Sequence, residues 1–420
     1  MESSRTPSIA EDAAAPAPAA RPGAAVAREP ESRPKHILEL DGIRGIAIVL
    51  VFLHHYITVG RGDSPVHRFL ASAAESLWCG VDLFFVLSGF LITGILLDTR
   101  DSPTYFRTFF ARRSLRIFPP YFGLLAVSLL ILPRFIPFDS DRDRELLANQ
   151  GWLWTYLANF RIVVAGYAPF QGDHVWLPHL WSLAVEEHFY LVWPWLVYAV
   201  SPRSLRRACL GCIAGALALR AGLLLTSASP EAAYVATPCR IDSLALGGLA
   251  ALMVRDPGAD AGRLRRVALG LLAVAGPILL LIIGRHGGLF RDDPITSTVG
   301  YTTLALFSAG LILATVAFDP SGIYRRALRL GPLRALGRYS YGLYLYHVAL
   351  EPSLNAILST GRIQAGLGVP YPAAGLIRVG STFAICFAVA LLSWHLFEKP
   401  ILGLKRRFEY ARPARSTERV

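Results

Sequence analysis

From Ile37 onward the chain is a succession of apolar stretches about 17–25 residues long, separated by short polar connectors rich in arginine. A helix of that length crosses the hydrocarbon core of a bilayer. Ten such spans are expected, at about 37–58, 77–98, 117–135, 178–200, 207–226, 237–254, 265–284, 298–317, 335–356 and 373–396. One more stretch, 152–166 (WLWTYLANFRIVVAG), is shorter, rich in Trp and Tyr, and interrupted by Asn159 and Arg161. The pattern predicts an all-α, polytopic membrane protein.

Charge decides whether 152–166 crosses, because cytoplasmic connectors carry an excess of Lys and Arg. Arg28, Arg33 and Lys35 precede the first span and put the N-terminus inside. Arg100, Arg107, Arg112, Arg113 and Arg116 follow the second span, also inside, whereas Asp139 to Glu145 after the third is more acidic than basic. If 152–166 crosses, the clusters at Arg203–Arg207, Arg263–Arg266, Arg325–Arg329 and Lys405–Arg407 all fall outside; if it does not, all fall inside. The segment is therefore expected to be re-entrant or interfacial on the outer face, with Trp152, Trp154 and Tyr156 in an aromatic belt. About ten transmembrane helices and two cytoplasmic termini follow.

Composition supports this class. The chain is 53% hydrophobic and only 17% charged, against about 25% charged in soluble domains. The net charge of +12 is almost all arginine, clustered between apolar runs, so the expected partner is the lipid bilayer and not nucleic acid. The five cysteines are scattered, and the lone C-x-x-C of Cys209 and Cys212 has no second pair, so no zinc or other metal site is expected. Residues 1–34, rich in Ala, Pro and Ser, contain no signal-peptide core and are expected to be a disordered cytoplasmic tail. A membrane domain at 35–400 and a basic cytoplasmic tail at 401–420 complete the division.

Ionisable groups at membrane depth are costly and mark candidate sites. In the first span Arg44 and His55 are eleven residues apart, about 1100° of helix, so they share a face and stand about 16 Å apart along the axis. His54 lies about 80° off that face. The plain reading is two helix-end residues reaching opposite interfaces. Asp82, near the outer end of the second span, is expected close to His55, where a carboxylate would orient an imidazole base. Its plain reading is a helix cap. Arg112, Arg113 and Arg116 form a basic turn suited to phosphate, or simply a topology signal, and Pro119-Pro120 is expected to break the helix after it. Glu186, Glu187 and His188 are consecutive in the fourth span, so at least one faces the bundle. Arg240 and Asp242 are expected to pair with each other or with Glu186. Tyr341, Tyr344 and His347, with Glu351 beyond them, form a polar helix suited to lining a cavity. His55, Asp82, Glu186, Arg240 and Glu351 are expected toward the outer leaflet, and Arg44, Arg112, Arg113, Arg116 and Arg338 toward the cytoplasm.

These stretches resemble the acyltransferase 3 family of membrane O-acyltransferases. The pieces that carry the resemblance are LDGIRGIAIVLVFLHH, GVDLFFVLSGFLIT, ARRSLRIFPPYF, LWSLAVEEHFYLVWP, CRIDSLALG, GRYSYGLYLYH and the closing FEKP, in order from about residue 37 to 400. Arg44 and His55 meet the family's pattern of Arg, ten residues, then His. The resemblance implies ten spans and a bacterial-type inner (plasma) membrane location. It also implies an acyl-CoA donor, probed first as acetyl-CoA, with no permanently bound cofactor. The implied acceptor is a carbohydrate or glycoside hydroxyl, as in lipopolysaccharide, exopolysaccharide, peptidoglycan or antibiotic sugars. Some members carry an extracytoplasmic hydrolase-like domain after the spans; about twenty residues follow FEKP here, so that domain is not expected.

The expected working parts are His55 as base or transient acyl carrier, oriented by Asp82 or Glu186. Arg44, Arg112, Arg113 and Arg116 hold the donor, and Arg240, Tyr341, His347 and Glu351 face the acceptor. The alternative is a transporter or exporter of an acylated or organic-acid solute, since buried His and carboxylates also build proton relays. No inverted repeat is evident in the sequence to support it.

Overall fold

Each expected span is helical over most of its length in the computed structural model, which describes residues 37–57, 64–226 and 229–411. The expected 1–34 tail, and 412–420 of the C-terminal tail, lie outside the described residues. Among the described residues there is no strand, only an isolated bridge between Gln171 and Trp176. The helices that carry the argument are α1 (Leu38–Tyr56), α2 (Pro65–Ser76), α3 (Gly80–Asp98), α4 (Tyr105–Ala126), α5 (Asp141–Trp154), α6 (Ala158–Ala165), α7 (Trp181–Ala199), α8 (Pro202–Leu225), α9 (Pro230–Val235), α10 (Thr237–Val254), α11 (Ala261–His286), α12 (Tyr301–Ala317), α13 (Ile323–Leu328), α14 (Gly331–Ala349), α15 (Glu351–Leu358), α16 (Thr360–Leu367) and α17 (Tyr371–Ser393).

Among the described residues seven helical stretches are long and apolar enough to cross a membrane: His67–Asp98, Tyr105–Arg134, Pro202–Leu225, Pro230–Val254, Ala261–His286, Thr296–Ala317 and Tyr371–Arg407. The protein is a multi-pass membrane protein. The other three expected spans are α1, α7 and α14, each of 19 residues, or about 28 Å of helix. They differ from the seven in composition: α1 carries Glu39, Asp41 and Arg44, α7 carries Glu186 and Glu187, and α14 carries Arg334, Arg338 and a run of tyrosines.

The structure departs from the pattern in two places. Pro119 and Pro120 do not break the helix; α4 runs through both. Proline lacks the N–H of the helical ladder, and membrane helices tolerate that loss where neighbours re-satisfy the freed backbone. The span expected at 335–356 ends at Ala349, and a separate short helix begins at Glu351. At 152–166 the chain folds as the end of α5, a break at Thr155–Leu157 and the 8-residue α6. Neither piece is long enough to cross. Tyr156 in the break has φ 56°, a left-handed conformation rare outside glycine.

α3 and α10 approach most closely through glycine. A Cβ on Gly89 would sit 1.9 Å from the Leu244 carbonyl oxygen, and one on Gly247 2.0 Å from that of Val86. Small residues permit such backbone contact between membrane helices. α1 packs on α14 in the same way, with Gly337 against the Asp41 carbonyl. α8, α11 and α17 lie on the outside and turn apolar side chains outward, among them Leu280 (69% exposed) and Leu376 (75%). In a bilayer those faces meet lipid.

Candidate active site

The close packing of α1, α3, α4, α7 and α14 leaves a cavity between them of about 850 Å³, counting its open mouth. At one end stand Arg44 from α1 and Arg113 and Arg116 from α4. Positions 113 and 116 share a helical face as an i, i+3 pair. The Arg113 guanidinium lies 5.3 Å from the centre of the Tyr190 ring, and Tyr190 shares a 2.5 Å hydrogen bond with Ser88 of α3. Arg44 makes a long ion pair of 3.6 Å with Asp41, one turn back.

Carboxylates line the same space. Glu186 faces Ser88, Tyr190, Arg113 and Arg44. It was expected beside His55; the rotation of α7 turns it instead toward the arginines. Glu187 also lines the cavity, and its Oε1 is buried without a hydrogen-bond partner. His188 points the other way, to Thr237 of α10 at 2.7 Å. Tyr341 lines the cavity and donates to the Ile117 carbonyl oxygen at 2.9 Å.

At the other end the lining is Ser182 and Tyr344, whose hydroxyls share a 2.5 Å hydrogen bond. Both oxygens also lie beside the His179 carbonyl, at 3.1 and 3.2 Å, which accepts the proton that the pair leaves over. Behind them three imidazoles gather. The rings of His179 and His347 are 5.6 Å apart, and those of His347 and His55 4.9 Å. Each ring gives one N–H to a backbone carbonyl: His55 Nδ1 to Val51 at 2.9 Å, His347 Nδ1 to Tyr344 at 2.7 Å and His179 Nε2 to Leu345 at 3.2 Å. A carbonyl only accepts, so in the neutral ring the opposite nitrogen holds the lone pair. His347 Nε2 and His179 Nδ1 are buried without a hydrogen-bond partner, while His55 is the exposed member of the group. His54 lies off this face, 3.4 Å from the Ala74 carbonyl of α2.

Several residues expected at the site sit elsewhere. Asp82 does not orient His55. It is fully buried against α10, where Arg240 donates to its Oδ1 at 2.6 Å and Ser243 at 3.3 Å. Arg240 in turn does not pair with Asp242 or Glu186; it is also fully buried, 4.3 Å from the Tyr301 ring centre and 5.5 Å from that of Tyr234. Asp242 pairs with Arg220 of α8 at 2.8 Å. The cause is the tight α3–α10 contact, which turns both charged faces inward toward each other. Arg112 is held away from the cavity and donates to the Lys405 and Phe408 carbonyls at 3.4 and 3.0 Å. Glu351 lies 3.7 Å from Arg378 of α17. The Val51 carbonyl, not a carboxylate, fixes the His55 ring.

His179 and Arg220 are outside the expected set. Arg220 stands alone in ALALRAGLLL, and a lone cation mid-span with Asp242 on a later span was the available signal. Among the described residues no group of three His, Cys, Asp or Glu side chains is placed to hold a metal ion.

The cavity thus runs between arginines at one end and the Ser182–Tyr344 pair, backed by imidazoles, at the other, and the chain that builds it is an acyltransferase: residues 37–394 match the acyltransferase 3 family, described as an acyltransferase domain, and the chain belongs to it. It is 26% identical over 377 residues to the peptidoglycan O-acetyltransferase OatA of Listeria monocytogenes, covering 87% of this chain and 56% of that protein. The O-acetyltransferase OatA of Staphylococcus aureus is 26% identical over 347 residues, 79% of this chain and 53% of that one. The putative peptidoglycan O-acetyltransferase YrhL of Bacillus subtilis is 28% identical over 386 residues, 87% and 55% respectively. The chain thus spans about half the length of the curated relatives it matches. No solved structure matches it.

Proposed function

We propose that the chain is a membrane O-acyltransferase that moves an acyl group, acetyl in the first instance, from acyl-CoA to a hydroxyl of a cell-envelope polysaccharide such as peptidoglycan. The observation that carries this reading is the cavity with Arg44, Arg113 and Arg116 at one end and Ser182 and Tyr344, backed by three histidines, at the other. Arginine grips phosphate bidentately, so the arginine end suits the phosphates of the donor. The distance from Arg44 to His55, about 16 Å of helix, suits an extended pantetheine arm. The named activity of the relatives supports the acceptor class.

In this reading ten helices cross a bacterial plasma membrane, and the arginine end is cytoplasmic. The acceptor hydroxyl approaches His55 from the opposite side. His55 Nε2, its lone pair directed by the Nδ1–H bond to Val51, takes the hydroxyl proton as the oxygen attacks the thioester carbonyl. The C–S bond breaks, the acyl–oxygen bond forms, and the thiolate leaves as free CoA after taking from the His55 imidazolium the proton that the hydroxyl gave up. His347 and His179, each with an unpartnered ring nitrogen, offer a next position for the proton.

The test is turnover by the detergent-purified chain, with labelled acetyl-CoA, a peptidoglycan fragment and no ion gradient. Release of CoA thiol with label on the sugar is expected. Movement of a solute in proteoliposomes without any transfer would instead establish an exporter.

A further inference from the structure

The last described residues do not trail away from the bundle. Residues 403–411 run back along the first turns of α4 and are pinned there at several points. Arg112 donates to the Lys405 and Phe408 carbonyls at 3.4 and 3.0 Å. Thr104 and Thr108 each donate to the Glu409 carbonyl at 3.2 Å, and Ser102 donates to that of Ala411 at 2.9 Å. The Arg107 guanidinium lies over the Phe408 ring. A strap is thereby laid across the helix that carries Arg113 and Arg116.

The strap carries three cations in a row, and they do not point alike. Arg406 and Arg407 are exposed, whereas Lys405 is turned inward and half-buried. Arg112 holds the Lys405 carbonyl at 3.4 Å, so Lys405 stands beside the turn of α4 that also carries Arg113 and Arg116, and the like charges of all three bear on it. Glu186 bears on Arg113 and Glu398 on Arg116, but neither bears on Lys405, and adding a further cation to such a cluster out of water is unfavourable unless an anion joins it. A topology signal does not explain it, because Arg406 and Arg407 supply that signal from the surface.

We propose that Lys405 is a further phosphate-binding residue of the donor site, carried to Arg113 and Arg116 by the C-terminal strap, and that Arg112 is the positioning residue that holds the strap there. The ligand chemistry is the 3′-phosphate and diphosphate of a CoA-type donor. The inference rests on the donor reading above. It assigns Arg112 a role that its distance from the cavity lining would otherwise leave without one.

The experiment is calorimetric binding of coenzyme A, 3′-dephospho-CoA and pantetheine to the full detergent-purified chain. Lys405→Ala is expected to weaken coenzyme A binding about tenfold or more, the size of a charge-assisted contact, and to leave pantetheine unchanged. Lys405→Arg is expected to retain binding. The melting temperature of the ligand-free Lys405→Ala protein should hold or rise, since a crowded cation is gone. Arg112→Ala should weaken coenzyme A binding, and adding Lys405→Ala to it should cost little more, whereas with Arg113→Ala the losses should add. Coenzyme A affinity within twofold of wild type in Lys405→Ala, while Arg113→Ala loses it, overturns the role of Lys405 and leaves the donor reading standing. Equal loss of pantetheine also overturns it. A wild-type chain that binds no coenzyme A overturns the donor reading itself, and this inference with it.

Discussion

His55 is held by a carbonyl and not by a carboxylate. The Val51 oxygen, 2.9 Å from Nδ1, fixes the tautomer and the ring plane without the basicity that an acidic partner adds. That makes the ring position, set by the phase of α1, the main requirement. His55→Ala is expected to lower acyl transfer by about 10²–10⁴, the usual cost of a lost general base, with membrane insertion intact. His54→Ala should keep most of the activity, since its ring faces α2; labelled-acetyl transfer rates of the two variants read the difference, and a dead His54→Ala beside an active His55→Ala would remove the proposed base. Asp82 behaves oppositely. Its pair with Arg240 is fully buried at 2.6 Å, and removing one partner of such a pair costs roughly 3–5 kcal/mol. Asp82→Ala is expected to lower the melting temperature sharply while whatever protein remains folded turns over at a near-normal rate.

At the scale of elements, what was legible in the sequence was what periodicity controls. Eleven residues along one helix fix the relative phase of Arg44 and His55, so their shared face was readable from spacing alone. Which neighbour a helix turns its charges toward was not readable, because that depends on which helices meet. Asp82 and Arg240 meet each other through the α3–α10 contact, and Glu186, expected with His55, faces Arg44 and Arg113 instead. His179 escaped because it lies in a single turn, Pro178–Leu180, before α7, where no period aims a side chain. Close helix contact makes its own prediction. Gly→Ala in a helix ordinarily stabilises by about 0.5–1 kcal/mol. At Gly89 the added Cβ meets the Leu244 carbonyl oxygen at 1.9 Å, and overpacking costs typically 1–3 kcal/mol. Gly89→Ala should therefore lower the melting temperature in detergent, while Gly215→Ala on α8, with nothing within 4 Å, should hold or raise it. Equal effects of the two would mean that α3 and α10 are not in backbone contact.

Over the whole molecule the basic connectors gather at one end of the bundle. Arg206, after α7, pairs with Asp256, after α10, at 3.0 Å. Arg255 pairs with Asp98 at the end of α3 at 2.6 Å, and Arg100 donates to the Tyr198 carbonyl at 2.8 Å. The strap at 403–411 joins the start of α4, next in the chain after Arg100. These links bring the ends of α3, α7, α10 and α17 to one face, which requires that 152–166 does not reverse the chain between α4 and α7. The short α6 and the break at Tyr156 agree with that. Cytoplasmic connectors carry the excess of Lys and Arg, so this end is expected to face the cytoplasm, together with the arginine end of the cavity and its donor. Leu205 is buried and would escape a thiol reagent, so the exposed Ser204 and Gly258 are the positions to use. Ser204→Cys and Gly258→Cys, read against the unmodified chain, should resist a membrane-impermeant maleimide in intact cells and react once the membrane is opened. Labelling of both from outside would place the Arg113–Arg116 end of the cavity away from the cytoplasmic pool of acyl-CoA, and a cytoplasmic donor would then have no route to its phosphate site.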